Sequence, residues 1–188
     1  LPGSLTTCIT MINVKDFLLE GMYISVEEKR SAGTVKEREM LLIRDLPNGG
    51  GRLVYRVIDD PTKLASAEWD LVVAVFATGQ LWQFKGWKYP TPVELFQKVL
   101  GVHVCVDSAT VDANILSWNC RVLKVRCCHA LLFFSSSLER LILFVSLFFC
   151  PPHQINLFKQ HLNAGAAREF WMYLDDYVKL RRPNLLPS

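Results

Sequence analysis

The sequence predicts an α/β domain of three layers, in which helices cover both faces of a mostly parallel, Rossmann-like sheet. Short apolar runs alternate along the chain with segments whose apolar residues recur at the helical period. One run, residues 71–76, is apolar throughout, which is typical of a strand buried on both faces in the middle of such a sheet. The 188 residues are enough for one domain with its own core.

The first elements are a short helix and a hairpin. Residues 13–20 carry an apolar helical face, with an asparagine as its predicted N-cap and Gly21 at its end. Residues 27–39 are almost all charged or small and predict a solvated connection. Two apolar runs, residues 40–43 and 53–58, flank a turn of proline, asparagine and glycines. Together they predict an antiparallel hairpin.

Further helices and strands follow the apolar run at 71–76. Residues 92–100 are amphipathic, with proline in the first turn and Gly101 at the end, and predict a helix. Residues 102–106 predict a strand, and another begins at residues 120–124. The order of helices and strands is that of a parallel sheet with helical crossovers, interrupted once by the hairpin.

The clearest helix covers residues 166–180. Its predicted buried stripe consists of Phe170, Leu174, Tyr177 and Val178. Asp175 and Lys179 stand four residues apart and predict an ion pair on the solvent face. A proline at residue 183 closes the helix.

Composition and motifs exclude several functional classes. The net charge of +3 is too balanced to indicate nucleic-acid binding by charge alone. The sequence has no phosphate-binding loop of P-loop type, no hydrolase nucleophile elbow and no H-E-x-x-H zinc motif. The six cysteines show no repeated spacing, and the first residues lack a secretory signal. These features predict reduced thiols in a cytosolic or nuclear protein.

A zinc site is the metal alternative. Cys127, Cys128 and His129, with Cys150 and His153, offer the thiolate and imidazole donors that zinc prefers. Adjacent cysteines rarely bind one ion together, however, and the sequence contains no C-x-x-C pair. We therefore expect no metal or other cofactor.

An aromatic segment follows the apolar run. Trp82, Phe84 and Trp87 lie within six residues and are interleaved with Lys85. One interpretation is a packed edge that covers the sheet. The other is a surface on which aromatic anchors and a cation bind a partner peptide. The sequence leaves both open.

Several stretches resemble one known family. They are residues 9–18, 55–61, 68–76 and 83–87, together with 93–96, 118–119 and 170–171. In these residues, and in their order over nearly the whole chain, the sequence resembles the C-terminal domain of parafibromin, in a plant-like variant. Parafibromin is a subunit of the nuclear polymerase-associated factor (Paf) complex.

The resemblance implies a Ras-like fold without the nucleotide site, no cofactor and no catalytic residues. It implies a non-enzymatic interaction module in RNA polymerase II transcription elongation and the histone modification linked to it, located in the nucleus. The implied partners are other Paf complex subunits, RNA polymerase II with phosphorylated C-terminal repeats, and elongation factors. Chromatin association would be indirect, and no direct membrane partner is implied.

Phosphate recognition needs arginine or lysine. Together with the aromatic segment, the candidate partner-binding residues are Trp82, Phe84, Lys85, Trp87, Lys88, Arg52, Arg56, Arg121 and Lys124. A degenerate nucleotide-binding switch of the small-GTPase class is the alternative function. Only the fold favours it, because the phosphate loop is missing from the sequence.

Two departures from the family are expected. The family's first strand, an apolar run ending in Val-Pro, survives only as Leu1-Pro2, which predicts a truncated first strand. Residues 125–154 form a hydrophobic insertion within a single domain of residues 1–188. Joining Lys124 to Ile155 restores both the family alignment and the alternation of a half-buried strand.

The insertion has the features of a retained intron translated in frame. Valine codons begin with the donor letters GT, and one glutamine codon is the acceptor CAG, which fits residues 125 and 154. The bulk of leucine, phenylalanine, serine, cysteine and proline fits a pyrimidine-rich tract. A membrane segment at residues 138–150 is the rival interpretation, but it is short and charged for a span of about 20 residues. We expect the insertion to lower stability and favour aggregation.

Overall fold

In the computed structural model of the chain, residues 7–47, 50–126 and 152–186 are described, with side chains of the last helix described from Asn163 onward. The helices are α1 (Val14–Glu20), α2 (Val26–Ser31), α3 (Ser66–Trp69), α4 (Pro92–Lys98), α5 (Ala113–Ser117) and α6 (Pro152–Arg181). The strands are β1 (Glu39–Asp45), β2 (Arg52–Ile58), β3 (Ala74–Phe76), β4 (Leu100–Val106) and β5 (Arg121–Val125). Short 3-10 turns cover Pro61–Lys63, Leu81–Phe84 and Pro183–Leu185.

The strands form two separate sheets in the described part of the chain. β1 and β2 pair antiparallel, with Ile43 opposite Val54, as the hairpin prediction required. β3, β4 and β5 form a parallel sheet in that order, with Val102 of β4 opposite Arg121 of β5. The α/β class with a parallel sheet is therefore confirmed.

The central strand differs from the prediction. The run at residues 71–76 forms a strand only over β3, which pairs with β4 and lies at the edge of the described sheet. Leu71 is 62% exposed, and its amide donates to the Glu68 carbonyl, so this residue belongs to the turn after α3 and not to the strand. The strand buried on both sides is β4.

Helices cover the parallel sheet on both faces. On one face, α1 and α6 pack on Val102, Val104 and Leu123, and Phe170 of α6 stacks on Phe76 at 5.5 Å between ring centroids. On the other face, α4 and α5 enclose an aromatic cluster around Phe84. This arrangement is the predicted three-layer architecture.

The last helix also holds the hairpin. Arg44 of β1 donates to both carboxylate oxygens of Asp175, at 2.6 and 2.8 Å. The ring of Tyr55 in β2 lies 5.3 Å from that of Trp171. The expected partner of Asp175, Lys179, was wrong, because the strand brings a guanidinium to the carboxylate in a fork geometry that a neighbouring lysine does not offer.

Two predictions at the N-terminal end need correction. Asn13 precedes α1, but its side chain is buried and makes no cap bond; it donates to the carbonyls of Cys8 (2.7 Å) and Ile24 (2.8 Å). The supposed connection at 27–39 begins inside α2. Ser25 caps this helix by accepting from the Glu28 amide at 3.1 Å.

The end of β5 bears on the predicted insertion. Val125 is the last residue of β5 and the first residue of the predicted insertion. It is fully buried and lies opposite Val106 in the sheet. With residues 125–154 present, Ile155 and Leu157 belong to α6, and Val125 occupies the position in β5 that Ile155 would take if Lys124 were joined to it. Residues 1–6, with the truncated first strand, and residues 127–151, with most of the insertion, lie outside the described residues.

Candidate partner-binding surface

The aromatic segment divides into a buried part and an exposed part. Phe84 is fully buried, with its ring 5.2 Å from that of Trp87 and 5.5 Å from that of Trp118. Trp87 in turn packs on Trp69 at 5.8 Å. Phe84 and Trp87 thus anchor the segment to the sheet, as the packed-edge interpretation expects, and Phe84 is not available to a partner in this conformation.

Trp82 and Lys85 are the exposed members of this segment. Trp82 is 62% exposed, and Lys85 lies on the surface directly after the same 3-10 turn. Gln83 fixes the turn: its side chain accepts from the Thr78 amide at 2.9 Å and donates to the Phe76 carbonyl at 2.7 Å. The turn therefore presents one tryptophan on a braced backbone.

Arg52 and Arg56 lie on the outer face of the hairpin. Both point away from the core, since alternate residues of a strand share a face. Each is paired with a carboxylate: Arg52 with Asp45 at 2.8 Å and Arg56 with Glu68 at 2.7 Å. The aliphatic side chains between and beside them are also exposed: Leu41, Ile43 and Val54.

Arg121 and Lys124 lie three residues apart in β5 and so on opposite faces of the sheet. The Arg121 guanidinium stands 5.0 Å from the ring centroid of Tyr173 on α6. The Lys124 ammonium donates to the Ala109 carbonyl at 3.0 Å. These two cations do not form one site.

Lys88 belongs to a group of cations that lie together in the fold and were not predicted as one site from the sequence. Lys88 and Lys98 lie on the ring of Tyr89, with ammonium nitrogens 5.6 and 5.3 Å from its centroid. Arg182 joins them by donating to the carbonyl of Lys98. The signal available in the sequence was a basic residue at each of two helix ends, Lys98 at the end of α4 and Arg182 directly after α6.

The predicted residues are thus distributed over separate surfaces: the hairpin face, the turn at Trp82, the Tyr89 group and the two faces of β5. A charged groove of about 540 Å³ adjoins the hairpin at Arg56. Its other lining cations and carboxylates are Arg38, Lys63, Glu39, Asp59, Asp60 and Glu68. Signs of charge are mixed there, so the groove favours no simple ion.

Two carboxylates that line this charged groove, those of Asp60 and Glu68, accept hydrogen bonds from neighbouring groups. Hydrogen bonds from the hydroxyl and amide of Thr62 lower the pKa of Asp60. The Ala65 amide and the Arg56 guanidinium lower the pKa of Glu68. Both carboxylates stabilise short helical turns.

Comparison with known proteins decides the family. Residues 1–177 match the family described as RNA pol II accessory factor, Cdc73 family, C-terminal. The chain belongs to the Cdc73 C-terminal family. This membership confirms the resemblance to the parafibromin C-terminal domain.

Individual members of the Cdc73 family are similar over nearly the whole chain. Cell division cycle protein 73 of Caenorhabditis elegans is 26% identical over 98% of this chain and 30% of its own length. Protein CDC73 homolog of Arabidopsis thaliana is 28% identical over 96% of this chain and 38% of its own length. The chain thus spans about a third of the curated relatives it matches.

The fold of the Cdc73 family is also confirmed by structure. The solved conserved domain of yeast Cdc73 superposes with a TM-score of 0.68 at 20% identity, covering 96% of this chain and 95% of that one.

In the present structure, Gly50 and Gly51 belong to the hairpin turn, where the Leu46 amide donates to the Gly51 carbonyl at 2.8 Å. That glycine cluster therefore forms no phosphate loop at a helix start.

The described residues of this Cdc73-family chain contain no cluster of three or more potential metal ligands. None of the helices there is long and apolar enough to cross a membrane. The cysteine and histidine pairs of the zinc alternative, and residues 138–150, lie outside the described side chains.

Proposed function

We propose that this domain is a non-enzymatic protein-interaction module of the Paf complex in RNA polymerase II elongation, acting in the nucleus. Its ligands are phosphorylated repeats of the polymerase tail and of an associated elongation factor. Other Paf subunits contact the same protein, and its link to histone modification and chromatin is indirect. Membership of a family of RNA polymerase II accessory factors supports this assignment.

The observation that carries peptide binding is the exposed Trp82 on a braced turn. Trp82 is 62% exposed, and the bonds of Gln83 already order the turn that carries it, so a partner that binds the indole need not pay for ordering this backbone. Lys85 stands exposed beside it and supplies a cation. Burial of the indole against a peptide would release water from a large apolar surface.

The test is fluorescence anisotropy with a labelled peptide of the polymerase repeat, in serine-phosphorylated and plain forms. We expect preference for the phosphorylated form, and Trp82→Ala to weaken binding about tenfold, as for an anchor residue. Leu116→Ala is the matched control, because Leu116 is another exposed apolar side chain at 69%. Equal binding of the two peptides contradicts the proposal. A parallel titration with GTP and ATP tests the small-GTPase alternative, which saturable binding would favour.

A further inference from the structure

Two lysines lie against one aromatic ring, and an arginine joins them through backbone carbonyls at the ends of α3 and α4. Lys88 and Lys98 place their ammonium nitrogens 5.6 and 5.3 Å from the ring centroid of Tyr89. Arg182 directs one guanidinium nitrogen to the Asp70 carbonyl at 2.9 Å and the other to the Lys98 carbonyl at 3.5 Å. The cations are therefore neighbours although they are distant in sequence.

Neutral groups position these cations. The Lys88 ammonium donates to the Ser66 carbonyl at 3.0 Å, while its contact with the Asp70 carboxylate is longer, at 3.4 Å. The Tyr89 ring is held in turn by Trp69, edge-on at 6.0 Å. A carbonyl or a ring orients a cation without cancelling its charge, so the arrangement is ordered and still positive.

Several other basic residues differ in this respect, although Arg121 and Lys124 are also positioned by a ring or a carbonyl. Several cations of the described chain have a carboxylate within 3.0 Å: Lys29, Lys36, Arg44, Arg52 and Arg56. Around Tyr89, Lys88 alone contacts a carboxylate, that of Asp70 at 3.4 Å, while Arg182 bonds to the backbone carbonyl of the same residue. The C-terminal ends of α3, α4 and α6 meet here and offset at most about half a charge each, with less from the two short helices. The net local charge remains positive.

We propose that Lys88, Lys98 and Arg182 form the phosphoryl-binding site of this domain, with Tyr89 as its floor. The ligand is the phosphoryl group of a phosphorylated peptide, whose two negative charges and three acceptor oxygens match clustered ammonium and guanidinium donors. This assignment rests on the proposed function and locates its anionic contact. It adds Lys98 and Arg182 to the site and gives the hairpin arginines no part in phosphate binding.

A peptide fits this cluster better than a nucleic acid does. Proteins that bind nucleic acid through its backbone commonly contact about 6–10 phosphates, which needs a long basic stripe. Here two lysines and one arginine lie around a single ring, and the cations of the hairpin are paired with Asp45 and Glu68. The size of this cluster therefore matches a single phosphoryl group better than a run of backbone phosphates.

The experiment uses the full chain and compares Lys98→Gln with Lys15→Gln. Both lysines are exposed and both changes remove one charge, but Lys15 lies on α1. The probes are the serine-phosphorylated polymerase-repeat peptide, its plain form, inorganic phosphate and a single-stranded RNA. We expect Lys98→Gln to weaken the phosphopeptide about tenfold, the size of one lost charge-assisted contact, and Lys15→Gln to leave it unchanged.

Arg182 is tested by two variants, because it also bonds to two carbonyls that end helices. Arg182→Gln should weaken phosphopeptide binding, and Arg182→Lys should restore part of it by restoring the charge. If the wild type prefers the phosphopeptide while Lys98→Gln binds as tightly as Lys15→Gln, the site is wrong and the proposed function stands. If the wild type shows no preference, both fail.

The remaining probes identify the ligand. If inorganic phosphate displaces the phosphopeptide only at concentrations far above the peptide's dissociation constant, the site recognises a phosphoryl group within a peptide. Tight binding of free phosphate that Lys98→Gln abolishes, with no gain from the peptide, overturns the peptide assignment. The peptide assignment is also overturned if Lys98→Gln weakens RNA binding but leaves phosphopeptide binding unchanged.

Discussion

Arg44 and Asp175 form a two-point ion pair that joins the hairpin to the last helix, with nitrogen–oxygen distances of 2.6 and 2.8 Å. The two residues are 131 positions apart, and both side chains are largely shielded from water. The same guanidinium lies 4.4 Å above the ring of Trp171. Because the hairpin and the parallel sheet share no strand pairing in the described chain, this contact is one of the bonds that unite them.

Replacing Asp175 by asparagine should therefore destabilise the domain. Asp175→Asn keeps the shape of the side chain but leaves Arg44 half-buried beside a neutral group. We expect the free energy of unfolding to fall by about 2 kcal/mol, since hydrogen bonds to charged groups contribute about 1.5–3 kcal/mol. Urea unfolding measures the change. Asp176→Asn is the control, because the next residue is exposed, and an equal loss there would contradict the role of the pair.

Asn163 closes the end of β5. Its buried side chain accepts from the Arg126 amide at 2.7 Å and donates to the Arg126 carbonyl at 3.0 Å, as a neighbouring strand would. Asn163→Ala leaves both backbone groups without this partner, and we expect a loss of about 2 kcal/mol in unfolding free energy. Amide hydrogen exchange at Arg126 should accelerate more than exchange at Val104 in the middle of β4.

A neighbouring glycine provides the control for Asn163. Gly165 lies in the same helix, and a Cβ added there meets no atom within 4 Å. Gly165→Ala should raise the free energy of unfolding by up to about 1 kcal/mol, because alanine has the higher helix propensity. A loss of stability in both variants would mean that this part of α6 tolerates no change, and the specific bond to Arg126 would not be established.

Local patterns in the sequence predicted much of the fold. The hairpin followed from its turn residues, α4 from proline and the apolar face, and the buried positions Phe170, Leu174 and Val178 from helical spacing. These features depend on neighbours within a few residues. The cap at Ser25 was also readable, because a glutamate follows three residues later, although the charged composition of 27–39 concealed it.

Tyr177 of the predicted stripe is only partly buried, because its hydroxyl reaches out to donate to the Lys98 carbonyl. The predicted end of α4 at Gly101 was also wrong, since Leu100 and Gly101 already pair in β4.

Contacts between distant residues were not predictable in this way. Nothing near Asn13 or Asp175 in the sequence identifies the carbonyl of Ile24 or the guanidinium of Arg44. The same holds for the candidate site. Phe84 and Trp82 are two residues apart and equally aromatic, yet one is buried and the other exposed, because only the three-dimensional position of Trp118 decides which ring is covered.

Glu68 should make stability depend on pH. Its carboxylate accepts from the Ala65 amide at 2.9 Å and from Arg56 at 2.7 Å, and these bonds hold its pKa below the ordinary value of 4.5. A lowered pKa in the folded state contributes stability above about pH 4.5, which is lost as pH falls through the folded pKa. Glu68→Gln should therefore reduce the gain in stability between about pH 3 and about pH 6.

A variant of Arg56 tests how much of this pH dependence comes from the ion pair. Arg56→Gln removes the second cause of the shift and keeps the first, the bond from the Ala65 amide. Its pH dependence should lie between those of the wild type and Glu68→Gln. Urea unfolding at several pH values measures it. An Arg56→Gln curve as flat as that of Glu68→Gln would show that the ion pair and not the backbone bond sets the pKa.

Deletion of residues 125–154 tests the proposal that they are an insertion. The deletion joins Lys124 to Ile155, so that isoleucine takes the buried position of Val125 opposite Val106. The backbone of Asn156 then replaces that of Arg126 as the partner of the Asn163 side chain. A connection that is several-fold shorter reduces the loop-closure cost by about 1 kcal/mol. We expect a Tm higher by about 5 °C and less aggregation on heating, since an apolar stretch has been removed.

A deletion one residue longer is the matched control. Removing residues 125–155 joins Lys124 to Asn156 and places a polar amide at the buried position of β5. Because a shift of one residue exchanges the two faces of a strand, this variant should unfold at a lower temperature than the deletion of 125–154. If both deletions melt below the wild type, the segment belongs to the fold. If both melt equally above it, the gain comes from length alone and the junction at Ile155 has no special status.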